Sequence, residues 1–486
     1  MSESKGRVVA DESFGTEDRV HVRKSWRSWS LYLAFLVLFT WVYIFLGAGV
    51  ILRPSTAAVE NLQKPYIEAV YRNASSLESS KEETQEISSR VTSLFPYQIN
   101  GVVEPLFPWL AQGLAKYPPA ELLERGRWAN LFLCCGLLVL MGVGAARAFS
   151  FTGAAAMLMM GGFGIILERS AYFTPDALYN LMILVCWLCS MSLVRQNQLW
   201  MYGVFGILLG IVYLIRPPVW PLLLAFILVS VMRTLTVWYL RRRKVEEPNL
   251  WLNSNQLVGF AILTTAFLLV TGPRLSYASM TFGDPFYSFS SLSTWMDSPQ
   301  EVVRTSQEMI DRNVEEPIPW LESPGLISFY RENGFARTWS RASEGARDQL
   351  KNSVIGRQGG ILLYSFLVFL SIALIHRWIV WKRKEQIWKV RGTSARWMLV
   401  LLVMGVSFNL MFVGLGNRVT PNNVATTALF LPMLMTFIWI AERYRRQLQR
   451  TQVAGTVNLV YCGLMVLPIL WISFRIFSAV RVALLA

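Results

Sequence analysis

Carboxylates and arginines gather in short polar groups at the ends of long apolar runs. Each group places acidic or basic side chains beside prolines and aromatic residues. The groups are Glu60 with Tyr66, Glu104–Trp109, Glu168–Asp176, Arg216–Pro218, and Arg274 with Gly283–Tyr287. A carboxylate can take a proton from a hydroxyl group, and arginines can bind phosphate by paired hydrogen bonds. These residue types therefore point to acid–base chemistry on a phosphate-bearing substrate.

Asp176 illustrates how the local sequence would position a reactive carboxylate. It follows Thr174 and Pro175; threonine is a good N-cap, and proline is favoured at the first helical position. The pattern predicts a helix with Asp176 in its first turn. The field of the helix N-terminus there favours the carboxylate form that a base or a metal ligand requires. The alternative is that Asp176 only stabilises the helix end, by about 0.3–1 kcal/mol.

Two arginines adjoin prolines at the ends of apolar runs, Arg216 before Pro217 and Arg274 after Pro273. Arginine in such a position commonly extends its side chain to the lipid headgroups. Two or three arginines around one cavity would instead hold a phosphate or diphosphate by bidentate hydrogen bonds. The residue types alone leave both roles open.

The apolar runs are the elements that must position these groups. The 486 residues are 53% hydrophobic and only 16% charged, whereas a soluble domain keeps about 25% of its residues charged. Runs of about 20 apolar residues have the length that a helix needs to cross a bilayer, where the backbone must be hydrogen-bonded internally. The runs are too long and continuous for barrel strands, so the sequence predicts an all-α integral membrane protein.

The pattern predicts about eleven transmembrane helices. Residues 1–30 are polar and contain six Lys and Arg, which predicts a basic cytoplasmic tail before a polytopic membrane domain at 31–486. The apolar run at 31–52 is too long for a cleavable signal, so it is expected to remain as the first helix. Further spans are expected at 128–146, 152–168, 177–194, 201–215, 219–239, 257–273, 360–381, 397–415, 424–441 and 456–474.

Basic residues predict the orientation, because Lys and Arg concentrate in short cytoplasmic loops. With the N-terminus inside, the runs Arg241–Lys244, Lys382–Lys384 and Arg443–Arg450 all fall on the inner side. All five polar groups then fall on the outer side. The positive net charge of +15 is mostly a consequence of this topology, so nucleic acid is not an expected partner.

Two long outer loops follow from this orientation, at 53–127 and 274–359. Within the first, 105–116 is apolar but too short to span, which is typical of a segment lying in the membrane interface. Within the second, 299–313 and 335–353 are predicted to form amphipathic helices.

Few residues are available for a metal or redox centre. All five cysteines lie inside apolar runs, and the spacing Cys186-x-x-Cys189 falls in mid-helix, where packing explains it more simply than redox chemistry. His21 and His376 are the two histidines of the sequence, which argues against a histidine-built metal centre or a Ser-His-Asp arrangement. The sequence thus predicts no metal site, although its carboxylates leave a divalent cation open, and it indicates no other cofactor.

The order of these motifs resembles the GT-C superfamily of membrane glycosyltransferases, especially bacterial protein O-mannosyltransferases and the lipid A aminoarabinose transferase. Val103–Leu110 is similar to the Pro-Leu-Tyr-Pro-type motif of that family, and Arg127 to an arginine that leads into the second span. Tyr172–Asp176 resembles its aromatic-x-x-Asp stretch, and Gly206–Pro217 its "GLLLG…LTRP" signature. Gly283–Tyr287 matches a Gly-Asp-Pro-aromatic loop.

The resemblance implies transfer of a sugar from a polyprenyl-phosphate donor to a lipid, glycan or protein acceptor on the outer face of a bacterial inner membrane. An outer-loop acid would act as the base on the acceptor hydroxyl, and arginines would hold the donor phosphate. The candidate catalytic residues are Asp176, Glu60 and Glu104. The candidate substrate- and phosphate-binding residues are Arg169, Arg216, Arg274, Arg418 and Asp284.

The chain departs from the family pattern at two places. The family usually has Asp in the first outer loop with Tyr four residues later, whereas here Glu60 precedes Tyr66 by six, and Glu68 is a rival placement. Arg418–Pro421 is only a loose match to a later Arg-Tyr-hydrophobic-x-Pro run. The resemblance therefore supports the GT-C scaffold better than it supports an intact catalytic base.

Two other functions therefore stay open. One is a catalytically inactive relative that serves in envelope assembly. The other is a transporter or flippase of a lipid-linked or small substrate. Transporters place ionisable residues near the bilayer midplane, and the predicted spans have none deep inside, which counts against a charge-coupled carrier.

Overall fold

The computed structural model describes parts of the chain between Trp26 and Phe474. The described stretches are 26–52, 63–71, 103–148, 150–196, 198–217, 219–242, 256–282, 284–288, 326–355, 393–415 and 430–448, with isolated residues elsewhere. Glu60, Gly283 and Arg418 lie outside the described residues, and so do most of the spans expected at 360–381 and 456–474.

The described part of the chain is helical and contains no strand, which confirms the all-α prediction for these residues. Besides a helical stretch at 63–71, the helices are α1 (Trp26–Ile51), α2 (Leu106–Ala111), α3 (Pro119–Ala148), α4 (Phe151–Ser170), α5 (Asp176–Gln196), α6 (Leu199–Ile215), α7 (Trp220–Arg242), α8 (Gln256–Phe282), α9 (Leu326–Ile355), α10 (Thr393–Leu415) and α11 (Phe430–Leu448).

Five of these helices, α1, α3, α4, α5 and α8, are long and apolar enough to cross a membrane. Shorter apolar segments occur in α6, α7, α10 and α11. The outward-facing residues of α1 are apolar as well: Leu31 and Val37 are more than two-thirds exposed. An apolar surface of this kind is costly in water and favourable in lipid, as in a multi-pass membrane protein.

Close packing of α6 against α8 depends on two glycines one turn apart. A methyl group on Gly206 would overlap the carbonyl oxygen of Leu263, and one on Gly210 would lie 2.8 Å from Cβ of Val270. Small residues at this spacing let two helix backbones approach closely in a membrane. The glycines of the Gly206–Pro217 motif therefore have a packing role, because they let α6 and α8 lie close together.

α8 extends further than the sequence predicts. The expected span ended at Pro273, because proline usually stops a helix, yet the helix continues through Pro273 to Phe282. Arg274 consequently lies inside a candidate span, Gln256–Met280, instead of in the loop that follows it. This corrects the expected end of the helix.

The approach to α5 is shaped by contacts between distant segments. In α4, Leu158–Ile166 is π-helical, a conformation often found near functional sites. The turn that follows is held by Asn130 of α3, whose amide donates to the carbonyl oxygens of Tyr172 (2.8 Å) and Thr174 (3.2 Å). The first hydrogen bond of α5 runs from Tyr179 N–H to Pro175 O, so α5 begins one residue later than the Thr-Pro-Asp pattern predicts.

Candidate active site

Asp176, in the first turn of α5, forms an ion pair with Arg216, the C-cap residue that follows α6. Arg216 Nη1 donates to Asp176 Oδ1. The two side chains keep 14% and 24% of their surface exposed, so the pair is largely, but not fully, shielded from solvent. Two groups that lie forty positions apart in the sequence therefore meet at one end of the helix assembly.

Glu104, which lies just before α2, reaches the same region. Its Oε1 accepts a hydrogen bond from the Ser288 hydroxyl at 2.7 Å. Burial raises the pKa of Glu104 above its ordinary value, while the Arg274 charge, the Ser288 hydrogen bond and the Arg216 charge oppose that rise. Both carboxylates thus have arginine neighbours, and Glu104 is the one whose protonated form is favoured by its surroundings.

Arg274 is almost fully buried, with 1% of its surface exposed. Its Nη2 lies 3.5 Å from the Tyr287 carbonyl oxygen, at the limit of hydrogen bonding, and its guanidinium lies 5.9 Å from the Tyr277 ring centre. Within the described part of the chain, Nη1 has no hydrogen-bond partner. A buried guanidinium with a free N–H is costly, and an anionic ligand would satisfy it.

Arg169, at the end of α4, joins this group. Its charge acts on those of Asp176 and Arg216, and among the described residues its buried Nη1 has no hydrogen-bond partner. Its neighbour Glu168 is exposed. Arg169 therefore lies near Asp176, Arg274 lies near Glu104, and Arg216 lies near both carboxylates. We call these five residues the outer polar cluster, after the face on which the sequence predicts them.

Residues 63–71 form a helix beside the cluster. Oε1 of Gln63 accepts hydrogen bonds from Arg127 Nε at 3.0 Å and from the Phe173 N–H at 2.8 Å. Burial raises the pKa of Tyr66, and the charges of Arg216, Asp176 and Glu104 all act on its hydroxyl. Glu68 lies in the same helix.

Asp284 has a local structural contact. Its Oδ1 accepts a hydrogen bond from the Phe286 N–H at 2.9 Å, the pattern of an Asx turn. The turn directs Phe286 toward Trp220 of α7, with ring centres 5.6 Å apart. A substrate-binding role for Asp284 stays a prediction, while its contact with the Phe286 backbone shapes the loop beside α7.

An apolar groove opens beside the same end of α7. It has a volume of about 240 Å³ and an almost wholly apolar lining. The groove is bounded by Trp220 and Leu224 of α7, Phe335 and Trp339 of α9, and Phe408 and Phe412 of α10. Trp220 lies in both the groove wall and the contact with Phe286, so the groove begins next to the Asp284 loop.

Of the candidate site residues, Asp176, Glu104, Arg169, Arg216 and Arg274 come together, whereas Glu60 and Arg418 lie outside the described residues. Gln63 and Ser288 were missed, because nothing in their local sequence separates them from other polar loop residues. Among the described residues, no group of three His, Cys, Asp or Glu is placed to hold a metal ion.

Comparison of the chain with protein-family models, with curated proteins and with solved structures finds no match in any of the three.

Proposed function

We propose that this protein is a membrane glycosyltransferase that moves a sugar from a polyprenyl-phosphate donor to an acceptor hydroxyl. The observation that carries the proposal is the outer polar cluster, where two carboxylates and three arginines meet beside an apolar groove. Carboxylates supply a base, arginines suit phosphate, and an apolar groove suits a hydrocarbon chain. The motif resemblance to GT-C enzymes supports the same assignment.

The reaction would follow from these roles. A carboxylate, Asp176 or Glu104, takes the proton of the acceptor hydroxyl while the hydroxyl oxygen forms a bond to the anomeric carbon of the sugar. The bond between that carbon and the phosphate oxygen breaks, and the electron pair leaves with polyprenyl phosphate. Arg274 and Arg169 each have a buried, unpartnered N–H within the described residues, and these groups would stabilise the charge of the departing phosphate.

The electrostatic surroundings suggest a division of labour between the carboxylates. Asp176 is held in an ion pair with Arg216, which fixes the orientation of its side chain. Glu104 has a raised pKa, and a pKa nearer to neutrality makes a better proton carrier at physiological pH. Glu60 remains a third candidate base.

The groove would hold the first part of the polyprenyl chain. With a volume of about 240 Å³, it is smaller than a typical pocket for a whole drug-sized ligand, about 300–1,000 Å³. It therefore fits only a segment of a long chain, and the rest would lie in the bilayer. Because Trp220 of the groove wall contacts Phe286, a chain segment in the groove would lie beside the Asp284 loop.

The proposal includes the topology that the sequence predicts. About eleven spans would hold the chain in a bacterial inner membrane, with the N-terminus in the cytoplasm and the cluster facing outward. The acceptor would be a lipid, a glycan or a protein.

The test gives the purified protein a panel of radiolabelled undecaprenyl-phosphate sugars and measures release of undecaprenyl phosphate. The same donors are used with protein reconstituted in vesicles, where movement of the intact donor across the bilayer is measured. The proposal predicts that the protein releases undecaprenyl phosphate from at least one donor. Movement of intact donor across the bilayer without release would instead support a flippase, and neither release nor movement would favour an inactive relative.

A further inference from the structure

Asn180 is a buried amide inside α5 that has no hydrogen-bond partner among the described residues. Its side chain is 0% exposed, and within the described part of the chain neither Oδ1 nor Nδ2 has a hydrogen-bond partner. Leaving both ends of an amide unpaired in an apolar interior is costly, and such groups are rare in folded proteins. Burial of Asn180 therefore lowers the stability of the fold, and no hydrogen bond among the described residues offsets that loss.

A second asparagine shows the ordinary structural alternative. Asn130 of α3 is also buried, but its Nδ2 donates to the Tyr172 and Thr174 carbonyl oxygens, and its Oδ1 accepts from the Cys134 thiol at 3.8 Å. Asn130 holds the turn before α5 in place. Asn180 makes no contact of this kind within the described residues.

Asn180 lies one helical turn from Asp176 of the outer polar cluster. It comes four residues after Asp176, on the same face of α5 and about 6 Å further along the helix. Because side chains on an α-helix lean toward its N-terminus, a side chain at this position leans toward the turn that carries Asp176. Seven residues further on the same face, Trp187 donates to Thr436 of α11 at 2.9 Å, so this face is turned into the helix assembly rather than toward lipid.

We propose that Asn180 binds a hydroxyl group of the transferred sugar and so helps to determine which sugar is accepted. This inference rests on the proposed glycosyltransferase function. A hydroxyl both donates and accepts, and an amide offers one group of each kind, whereas a phosphate offers only acceptors. A sugar would enter from the Asp176 side, where Asp176 and Arg216 keep part of their surface exposed.

The test uses donors that lack one sugar hydroxyl at a time, with wild-type protein, Asn180→Leu and the control Asn130→Leu. For one position, we expect the wild-type kcat/KM to fall roughly tenfold when the hydroxyl is missing, the effect of one neutral hydrogen bond. Asn180→Leu should process that deoxy donor and the full donor at similar rates, whereas its discrimination at the other positions should be unchanged. Asn130→Leu should keep the wild-type pattern.

Thermal unfolding of the ligand-free proteins separates this role from a structural one. Asn180→Leu should melt no lower than wild type, because it removes two unpaired polar atoms, and Asn130→Leu should melt lower because it loses partnered ones. A lower melting temperature for Asn180→Leu would overturn the inference, as would wild-type discrimination at every position. No transfer by wild type from any donor would overturn the proposed function and this inference with it, whereas wild-type transfer with unchanged discrimination would overturn the inference alone.

Discussion

Asp176 at the start of α5 and Arg216 at the end of α6 are ion-paired, and each charge also complements the dipole of the helix that carries it. A carboxylate near a helix N-terminus and a cation near a helix C-terminus are both favourable. The pair is therefore both a fixed point of the fold and a part of the outer polar cluster.

A double-mutant cycle measures how much the Asp176–Arg216 pair contributes to stability, separately from its role in the site. Asp176→Asn should lower the melting temperature because it leaves the Arg216 guanidinium without its counter-charge, and adding Arg216→Gln should recover part of that loss. We expect a coupling of roughly 0.5–3 kcal/mol, measured by thermal unfolding in detergent. Additive effects of the two substitutions would show that the pair does not contribute to stability.

Helix packing at the Gly206–Pro217 motif predicts a sharp difference between neighbouring glycines. Gly206→Ala would press a methyl group against the Leu263 carbonyl, at a cost of about 1–3 kcal/mol for overpacking. Gly203→Ala is the matched control, because its new methyl group would lie 3.5 Å from Ile262 Cγ2, an ordinary contact. Equal melting temperatures for the two variants would contradict the close approach of α6 and α8.

Glu104 predicts a pH dependence of stability. The pKa of Glu104 in the folded protein is raised above 4.5, so folding favours the protonated carboxyl group. The stability that this group adds is fully present below its unfolded-state pKa, and it is lost as the pH rises through its folded-state pKa. Glu104→Gln should therefore gain melting temperature relative to wild type as pH increases through that window.

Ser288→Ala is the companion variant for this measurement. The Ser288 hydrogen bond lowers the pKa of Glu104, so its removal should move the pH window upward. The account fails if the melting curves of wild type and Glu104→Gln change in parallel with pH, or if Ser288→Ala leaves the window in place.

The groove predicts an effect that depends on the length of the donor chain. Thr338 lies in the groove wall, so Thr338→Trp should fill the groove and raise KM for a long-chain polyprenyl donor more than for a short-chain analogue. Ala336→Trp, at an exposed position on the same helix, should leave both KM values unchanged. An equal rise for long and short donors would argue against a chain in the groove.

Local pattern predicts much of the fold, because apolar runs must be helical in a membrane. The expected starts of α5 and α6, at 177 and 201, are within two residues of the observed Asp176 and Leu199. The predicted end of α8 at Pro273 was wrong, because a proline usually ends a helix, whereas here α8 continues to Phe282.

The sequence predicted only part of the candidate site. Carboxylates and arginines at helix ends are visible in the sequence, and five of them come together. Ser288 and Gln63 act through partners 184 and 64 residues away, and no local pattern reports such a contact. Asn180 lies within an apolar run, where the sequence cannot show that its amide lacks a partner among the described residues.

The most direct test is release of undecaprenyl phosphate from the accepted donor by wild type, Asp176→Asn and Glu121→Gln. Glu121 forms an exposed ion pair with Arg125, so its loss controls for removal of a carboxylate elsewhere. The account predicts release by wild type and Glu121→Gln, coupled one-to-one to glycosylated acceptor, and none by Asp176→Asn at matched expression. Full release by Asp176→Asn would contradict its assigned role, and no release by wild type from any donor would contradict the proposed function.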